Sequence, residues 1–290
     1  MSPPPRALHC GARILDLSQP QVMGVLNVTP DSFSDGGLYY RNHRLDIDTL
    51  LPRAEAMLAD GATLLDIGGE STRPGAAPVS SDEEMARVLP ALEALVQRLD
   101  AVISIDTSNP ALMREAAGRG ASMINDIRAL QRPGALQAVA ETRLGVCLMH
   151  MQGEPGNMQQ QPRYACVETE VRDFLQARVD ACLAAGIAAD RLVVDPGFGF
   201  GKTVEHNLRL LNRLPVLTAL GLPVLVGLSR KSLIDKVLNR SVEQRLAAGL
   251  SLASMAVIRG AAIVRAHDVR ETVDALRMVS AVLAERQYKA

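Results

Sequence analysis

The stretch QVMGVLNVTPDSFSDGG, residues 21–37, passes from an apolar run straight into a polar segment that ends in two glycines, with a single aromatic, Phe33, in its middle. An apolar run that stops at Asn27 and opens onto a long loop reads as a strand followed by a crossover, not as one arm of a tight hairpin. The same pattern recurs seven times: TLLDIGG (63–69), VISIDT (102–107), SMINDI (122–127), GVCLMH (145–150), RLVVDPG (191–197), PVLVGLSR (223–230) and AAIVRAHD (261–268). Helical patterns lie between them, among them DTLLPRAEAMLADG (48–61), SDEEMARVLPALEALVQRL (81–99) and SVEQRLAAGLSLASMAVIRG (241–260). Ser81 with Glu84 three residues later predicts a capping box for the second of these, and Gly61 predicts the C-terminal stop of the first. The runs are almost wholly apolar and do not alternate, as expected of parallel strands covered on both faces. Eight strand–helix units in 290 residues point to an α/β fold, a (β/α)₈ TIM barrel. An open doubly wound sheet is the competing architecture. LHCGARILDLSQP (8–20) predicts a short N-terminal hairpin under the barrel, and the absence of linkers or repeats predicts one domain over residues 1–290 with a core at about 12–280.

Bulk properties narrow the function classes. At 48% hydrophobic the chain can bury a large core, and 31 basic against 32 acidic residues, spread evenly, give no nucleic-acid or membrane footprint. Aromatic content of 3% with no Trp disfavours a base-stacking platform. Cys10, Cys147, Cys166 and Cys182 form no C-x-x-C pair, which favours reduced thiols in a cytoplasmic setting over zinc or a disulfide framework.

The chemistry gathers where the runs end: Asn27, Asp66, Asp106, Asn125, His150, Asp195, Ser229–Arg230–Lys231, and Arg265 with His267. In a barrel these positions meet at the C-terminal face, where such folds place their active sites. Any one of them has a plainer reading as a helix cap or turn residue; eight together do not. Two carboxylates and an amide (Asp106, Asp195, Asn125) call for a heterocycle with adjacent N–H donors and a carbonyl. Lys231, Arg265 and His267 form a cationic subset suited to phosphate, with Arg265 and His267 on one face of a strand. DPGFGFGK (195–202) is not a Walker loop, because Pro196 stands where the first glycine is required; its glycines let the backbone approach a ligand, with Phe200 lining it and Phe198 packing beneath. His150 has two readings, a hydrogen-bonded structural residue or a metal ligand, and the absence of a second ligand at suitable spacing favours the first. Met149 contributes apolar wall.

The ordered motifs GVLNVTPDSFSDGG, DIGGESTRPG, ISIDT, INDI, LMHMQG, DPGFGFGK, GLSRKS and IVRAHDV resemble those of the dihydropteroate synthase family from about residue 12 to residue 280. The resemblance implies condensation of 6-hydroxymethyl-7,8-dihydropterin diphosphate with para-aminobenzoate to give 7,8-dihydropteroate and diphosphate, by an SN1-like substitution, in folate biosynthesis. It implies Mg²⁺ as cofactor, a homodimer, a cytoplasmic location and sulfonamides as inhibitors. By motif match Asn27 would bind Mg²⁺ and, with Thr72, Arg265 and His267, hold the diphosphate. Asp106, Asn125, Met149, Asp195, Phe200 and Lys231 would hold the pterin. Phe33, Arg73, Pro74, Phe200 and Ser232 would line the para-aminobenzoate pocket. Asp106, Asp195, Lys231, Arg265 and His267 would carry the catalysis. The rival readings are a methyltransferase barrel that binds a pterin and a corrinoid partner, a non-catalytic pterin-binding relative, and a general phosphate-binding barrel.

Overall fold

The structure is a computed structural model and describes residues 6–29, 39–41, 44–71 and 79–285. Eight parallel strands form one sheet: β1 (Gln21–Asn27), β2 (Leu64–Gly68), β3 (Val102–Asp106), β4 (Met123–Asp126), β5 (Gly145–Met149), β6 (Leu192–Asp195), β7 (Leu225–Gly227) and β8 (Ile263–Ala266). β1 pairs with β2 on one side and β8 on the other. The ring closes between β6 and β7, where Val194 donates its N–H to the Pro223 carbonyl at 3.0 Å. The expected barrel is therefore present and the open sheet is ruled out.

Each strand is followed by at least one helix: α1 (Ile47–Ala59), α2 (Ser81–Arg98), α3 (Pro110–Gly118), α4 (Ala135–Ala140), α5 (Val167–Ala184), α6 (Val204–Asn212), α7 (Leu246–Ile258) and α8 (Val269–Leu283), with further short helices, Pro215–Thr218 after α6 and Ser232–Leu238 ahead of α7. Gly61 closes α1 as expected, at φ +104°, with Ala62 N–H reaching back to Met57 and Gly61 N–H to Leu58, a Schellman ending. The cap of α2 differs from expectation by one residue. Ser80, not Ser81, is the N-cap, its hydroxyl accepting the free Glu83 N–H of the first turn. Glu84 turns inward instead, accepting from Thr107 Oγ1 at 2.6 Å and from Asn109 Nδ2 at 3.2 Å, so it ties α2 to the end of β3.

The apolar strands do alternate, but between two apolar destinations. One set, including Leu65, Ile105, Val146 and Val264, faces the helices. The other, one residue per strand from Met23 on β1 to Ile263 on β8, points into the barrel. These inward residues meet Leu8, Cys10, Leu15 and Leu17 of the expected hairpin (Ala7–Cys10 with Arg13–Asp16), which plugs the bottom of the barrel. Two residues further along each strand, the inward positions become Val25, Asp66, Ser104, Asn125, Met149, Asp195, Gly227 and Arg265, most of them polar. The period of two thus sets a dry floor beneath a polar layer.

Candidate active site

A cavity of about 640 Å³ opens above that polar layer. It is bordered by Asp106, Asn125, Met149, Asp195, Phe200 and Lys231, the residues expected to hold a ring. Asn27, Ser232, Arg265 and His267 border it as well. The remaining expected residues, Phe33, Thr72, Arg73 and Pro74, lie outside the described residues.

At its centre a guanidinium joins two carboxylates. Arg265 Nε donates to Asp66 Oδ2 at 2.6 Å and Nη2 donates to Asp106 Oδ2 at 3.1 Å. Asn125 Nδ2 donates to the same Asp66 oxygen at 3.1 Å. Asn125 Oδ1 is buried with no hydrogen-bond partner among the described residues. Enclosure in the cavity wall, with Asp66 adding repulsion that Arg265 only partly offsets, pushes Asp106 up to about 8. Burial pushes Asp195 up to about 6, against the Gly197 N–H that donates to its Oδ1 at 2.7 Å. The carboxylates thus stand short of donors, the condition a donor-rich ring relieves.

The loop after β6 is built by close backbone approach. A β-carbon on Gly197 would stand 1.9 Å from the His150 carbonyl oxygen, and φ there is +66°. Lys202 is not a phosphate ligand. Its buried Nζ donates to the carbonyls of Gly197 (2.9 Å) and Phe200 (3.0 Å) and lies 2.9 Å from His150 Nδ1. Burial lowers Lys202 to about 7, and burial with Lys202 alongside lowers His150 to about 2, so His150 is a hydrogen-bonded structural residue, packed edge-on to Phe174. Phe198 is buried beneath the loop as expected. Phe200 reaches the cavity, where Lys231 Nζ sits 4.3 Å from its ring centre. Burial, reinforced by Arg265, lowers Lys231 to about 8.

The sequence groups His267 with the cations Lys231 and Arg265, but in the ligand-free site burial, with Arg265 and Arg230 nearby, lowers it to about 3. Ser229 Oγ accepts the His267 backbone N–H at 3.3 Å and lies 3.1 Å from Nδ1. A hydroxyl donating to Nδ1 leaves the neutral ring with its proton on Nε2. Arg230, at φ +59°, grips Asp268 through Nε (3.2 Å) and Nη2 (2.6 Å), and thereby fixes the turn that presents Ser229 and Lys231.

Asp66 is the functional residue the sequence leaves without a role. It is wholly buried and does not border the cavity, so its place at a strand end marks it only as polar. Its partners, Asn125 on β4 and Arg265 on β8, become visible once the closed barrel brings these non-adjacent strands around one interior.

Comparison with known proteins agrees with this geometry. The model of the family described as pterin binding enzyme matches residues 23–267. A dihydropteroate synthase of Escherichia coli is 53% identical over 275 residues, covering 95% of this chain and 96% of that protein. Among solved structures, the dihydropteroate synthase of Yersinia pestis in complex with a sulfonamide drug superposes with a TM-score of 0.92 at 52% identity, over 96% of this chain and 99% of that one. That of Burkholderia cenocepacia, complexed with 7,8-dihydropteroate, gives 0.86 at 48% identity, over 98% and 99%. The chain belongs to the dihydropteroate synthase family of pterin-binding transferases.

Proposed function

We propose that the cavity holds a pterin diphosphate between two chemically distinct ends and transfers its methylene carbon to para-aminobenzoate by an SN1-like substitution. The observation that carries this reading is the donor-poor cluster of Asp106, Asn125 and Asp195 beside Lys231 and Arg265 in one cavity. A pterin edge offers an exocyclic amine and a ring N–H to the carboxylates and to Asn125 Oδ1, while Arg265 serves a diphosphate.

The donor set suits Mg²⁺. Asn27 Oδ1 and Asp106 Oδ2 lie 3.6 Å and 3.8 Å from the point a Gly68 β-carbon would take, so both oxygens border the space that this glycine leaves open. Among the described residues no three His, Cys, Asp or Glu side chains are grouped to cage an ion. A hard cation that draws its remaining ligands from phosphate and water matches such a sparse set. Asn27 would hold it, with Asp106 close by, and when bound it would neutralise charge on the leaving diphosphate. Arg265 stabilises that charge from the protein side, and His267, being neutral, contributes a hydrogen bond from Nε2. Asp106 and Asp195, ionised by the ring's donors, favour positive charge spreading from the methylene carbon into the pterin. The arylamine then attacks that carbon and loses its proton afterwards, so no covalent enzyme intermediate is required.

Phe33, Arg73, Pro74 and Ser232 are assigned to para-aminobenzoate, the class of ligand that sulfonamides imitate. Thr72 is assigned to the diphosphate. Apart from Ser232, which borders the cavity, these assignments rest on the motif match. The whole chain acts as one unit in this reading. A homodimer is supported by neighbouring α7 and α8, which expose Ile258, Met278, Val282 and Leu283. No helix among the described residues is long and apolar enough to cross a membrane, and the four unpaired cysteines are in keeping with the cytoplasm.

The reading is tested by supplying the purified protein with pterin diphosphate and para-aminobenzoate. Dihydropteroate and diphosphate should form in equal amounts, and only with Mg²⁺ present. Absence of both products with Mg²⁺ present would overturn it.

A further inference from the structure

We infer that Asp66 is a positioning residue that sets both ends of the site at once, orienting the amide of Asn125 toward the ring and the guanidinium of Arg265 toward the diphosphate. The inference rests on the reading of Asn125 as a ring ligand and of Arg265 as a diphosphate ligand. Asp66 lies in the inward layer of β2, fully buried and off the cavity wall, so it acts through its neighbours.

An amide has two ends that look alike in shape and differ in hydrogen bonding. A carboxylate accepts but does not donate when ionised, so the Asn125 end that faces Asp66 must be Nδ2. That forces Oδ1 to the other side, where it is buried and lacks a partner among the described residues. With the amide reversed, two oxygens would face each other and the ring's amine would meet an N–H₂ group. The second arm works on Arg265. Asp66 takes Nε at 2.6 Å and Asp106 takes Nη2 at 3.1 Å, which fixes the plane of the guanidinium and leaves Nη1 without a hydrogen-bond partner among the described residues. The other oxygen, Asp66 Oδ1, has no partner among the described residues, so the hydrogen bonding of this carboxylate is concentrated on Asn125 and Arg265.

Asp66→Asn keeps the shape and offers a donor where only an acceptor stood, so the Asn125 amide can reverse. Titration calorimetry with 6-hydroxymethylpterin, which has no diphosphate, reads the first arm. Asn125→Ala should weaken binding by roughly 10- to 100-fold. Asp66→Asn should weaken it comparably, and the double variant should lose no more than the worse single one, because both changes remove the same contact. Inorganic diphosphate reads the second arm: Asp66→Asn should weaken its binding, and Asn125→Ala should leave it unchanged. A merely structural role would lower thermal stability but leave both affinities of the folded protein intact, and that result, or additive losses in the double variant, would overturn the inference. Unchanged ring affinity in Asn125→Ala would overturn the ring assignment instead. Should Asp66→Asn fail to fold, the ligand-free wild-type protein decides by NMR. The Asn125 side-chain N–H₂ protons should be protected from solvent exchange, and rapid exchange would overturn the inference.

Discussion

Asp195 shows how a single residue can be held ready for a ligand. It is buried, and among the described residues the one hydrogen bond to its carboxylate comes from the Gly197 N–H at 2.7 Å. Replacing it by Asn should reduce affinity for the pterin ring by roughly 1.5–3 kcal/mol, the worth of a hydrogen bond to a charged group. Calorimetry showing equal affinity would remove that role. The pH dependence follows from the same burial. In the ligand-free protein Asp195 stands at about 6 and Asp106 at about 8, both above the ordinary carboxylate value. Ring N–H donors bond the ionised forms and so lower both values, which means that binding expels protons between about pH 6 and pH 8. Ring affinity therefore falls as pH drops below about 8, and more steeply below about 6, where both carboxyls carry protons in the ligand-free protein. Calorimetry in buffers of different ionisation enthalpy should detect the release at pH 7; proton uptake or no exchange would contradict it.

At the scale of elements, the loop from Asp195 to Lys202 depends on glycine at two crowded points. Gly197 meets the His150 carbonyl and Gly201 the Gln152 carbonyl, where added β-carbons would stand 1.9 Å and 2.3 Å away. Gly197→Ala should cost about 2–4 kcal/mol in denaturant unfolding, from a clash and a left-handed φ that alanine disfavours. An unchanged midpoint would show that the loop can relax. The sequence makes these glycines visible, along with the eight strands and their polar ends. It hides what depends on contacts between distant strands. The inward and outward residues of each strand are both apolar, so the alternation that separates barrel floor from helix-facing core is invisible until the hairpin residues Leu8 and Leu15 are seen against Met23 and Ile263. Lys202 invites a phosphate reading by composition, but its position among three carbonyls decides otherwise. His267 reads as a cation in isolation and is neutral in place, since burial beside Arg265 is a property of the folded site. The cap of α2 shifts to Ser80 because Glu84 is drawn inward by Thr107 and Asn109, partners more than twenty residues away.

For the whole molecule, two faces of the barrel have distinct tasks: the bottom is sealed by apolar side chains, and the top carries the chemistry. The side bearing α7 and α8 leaves Met278 at 66% and Val282 at 70% exposure, which a second copy of the chain would cover. Sedimentation equilibrium should give twice the chain mass, and Met278→Lys with Val282→Lys should halve it; a wild-type monomer would refute the dimer. The central claim concerns the cavity. In the proposed reaction its ring end would favour a cation and its charged end would accept diphosphate, so the carbon–oxygen bond would break before the arylamine nitrogen arrives. The most direct measurement uses pterin diphosphate labelled with ¹⁸O at the oxygen joining carbon to phosphorus, recovered after partial turnover. The account predicts that label appears at non-bridging positions of the adjacent phosphoryl group, because the bond has broken and re-formed. Recovered substrate with all its label still in the bridge, alongside ongoing product formation, would contradict it.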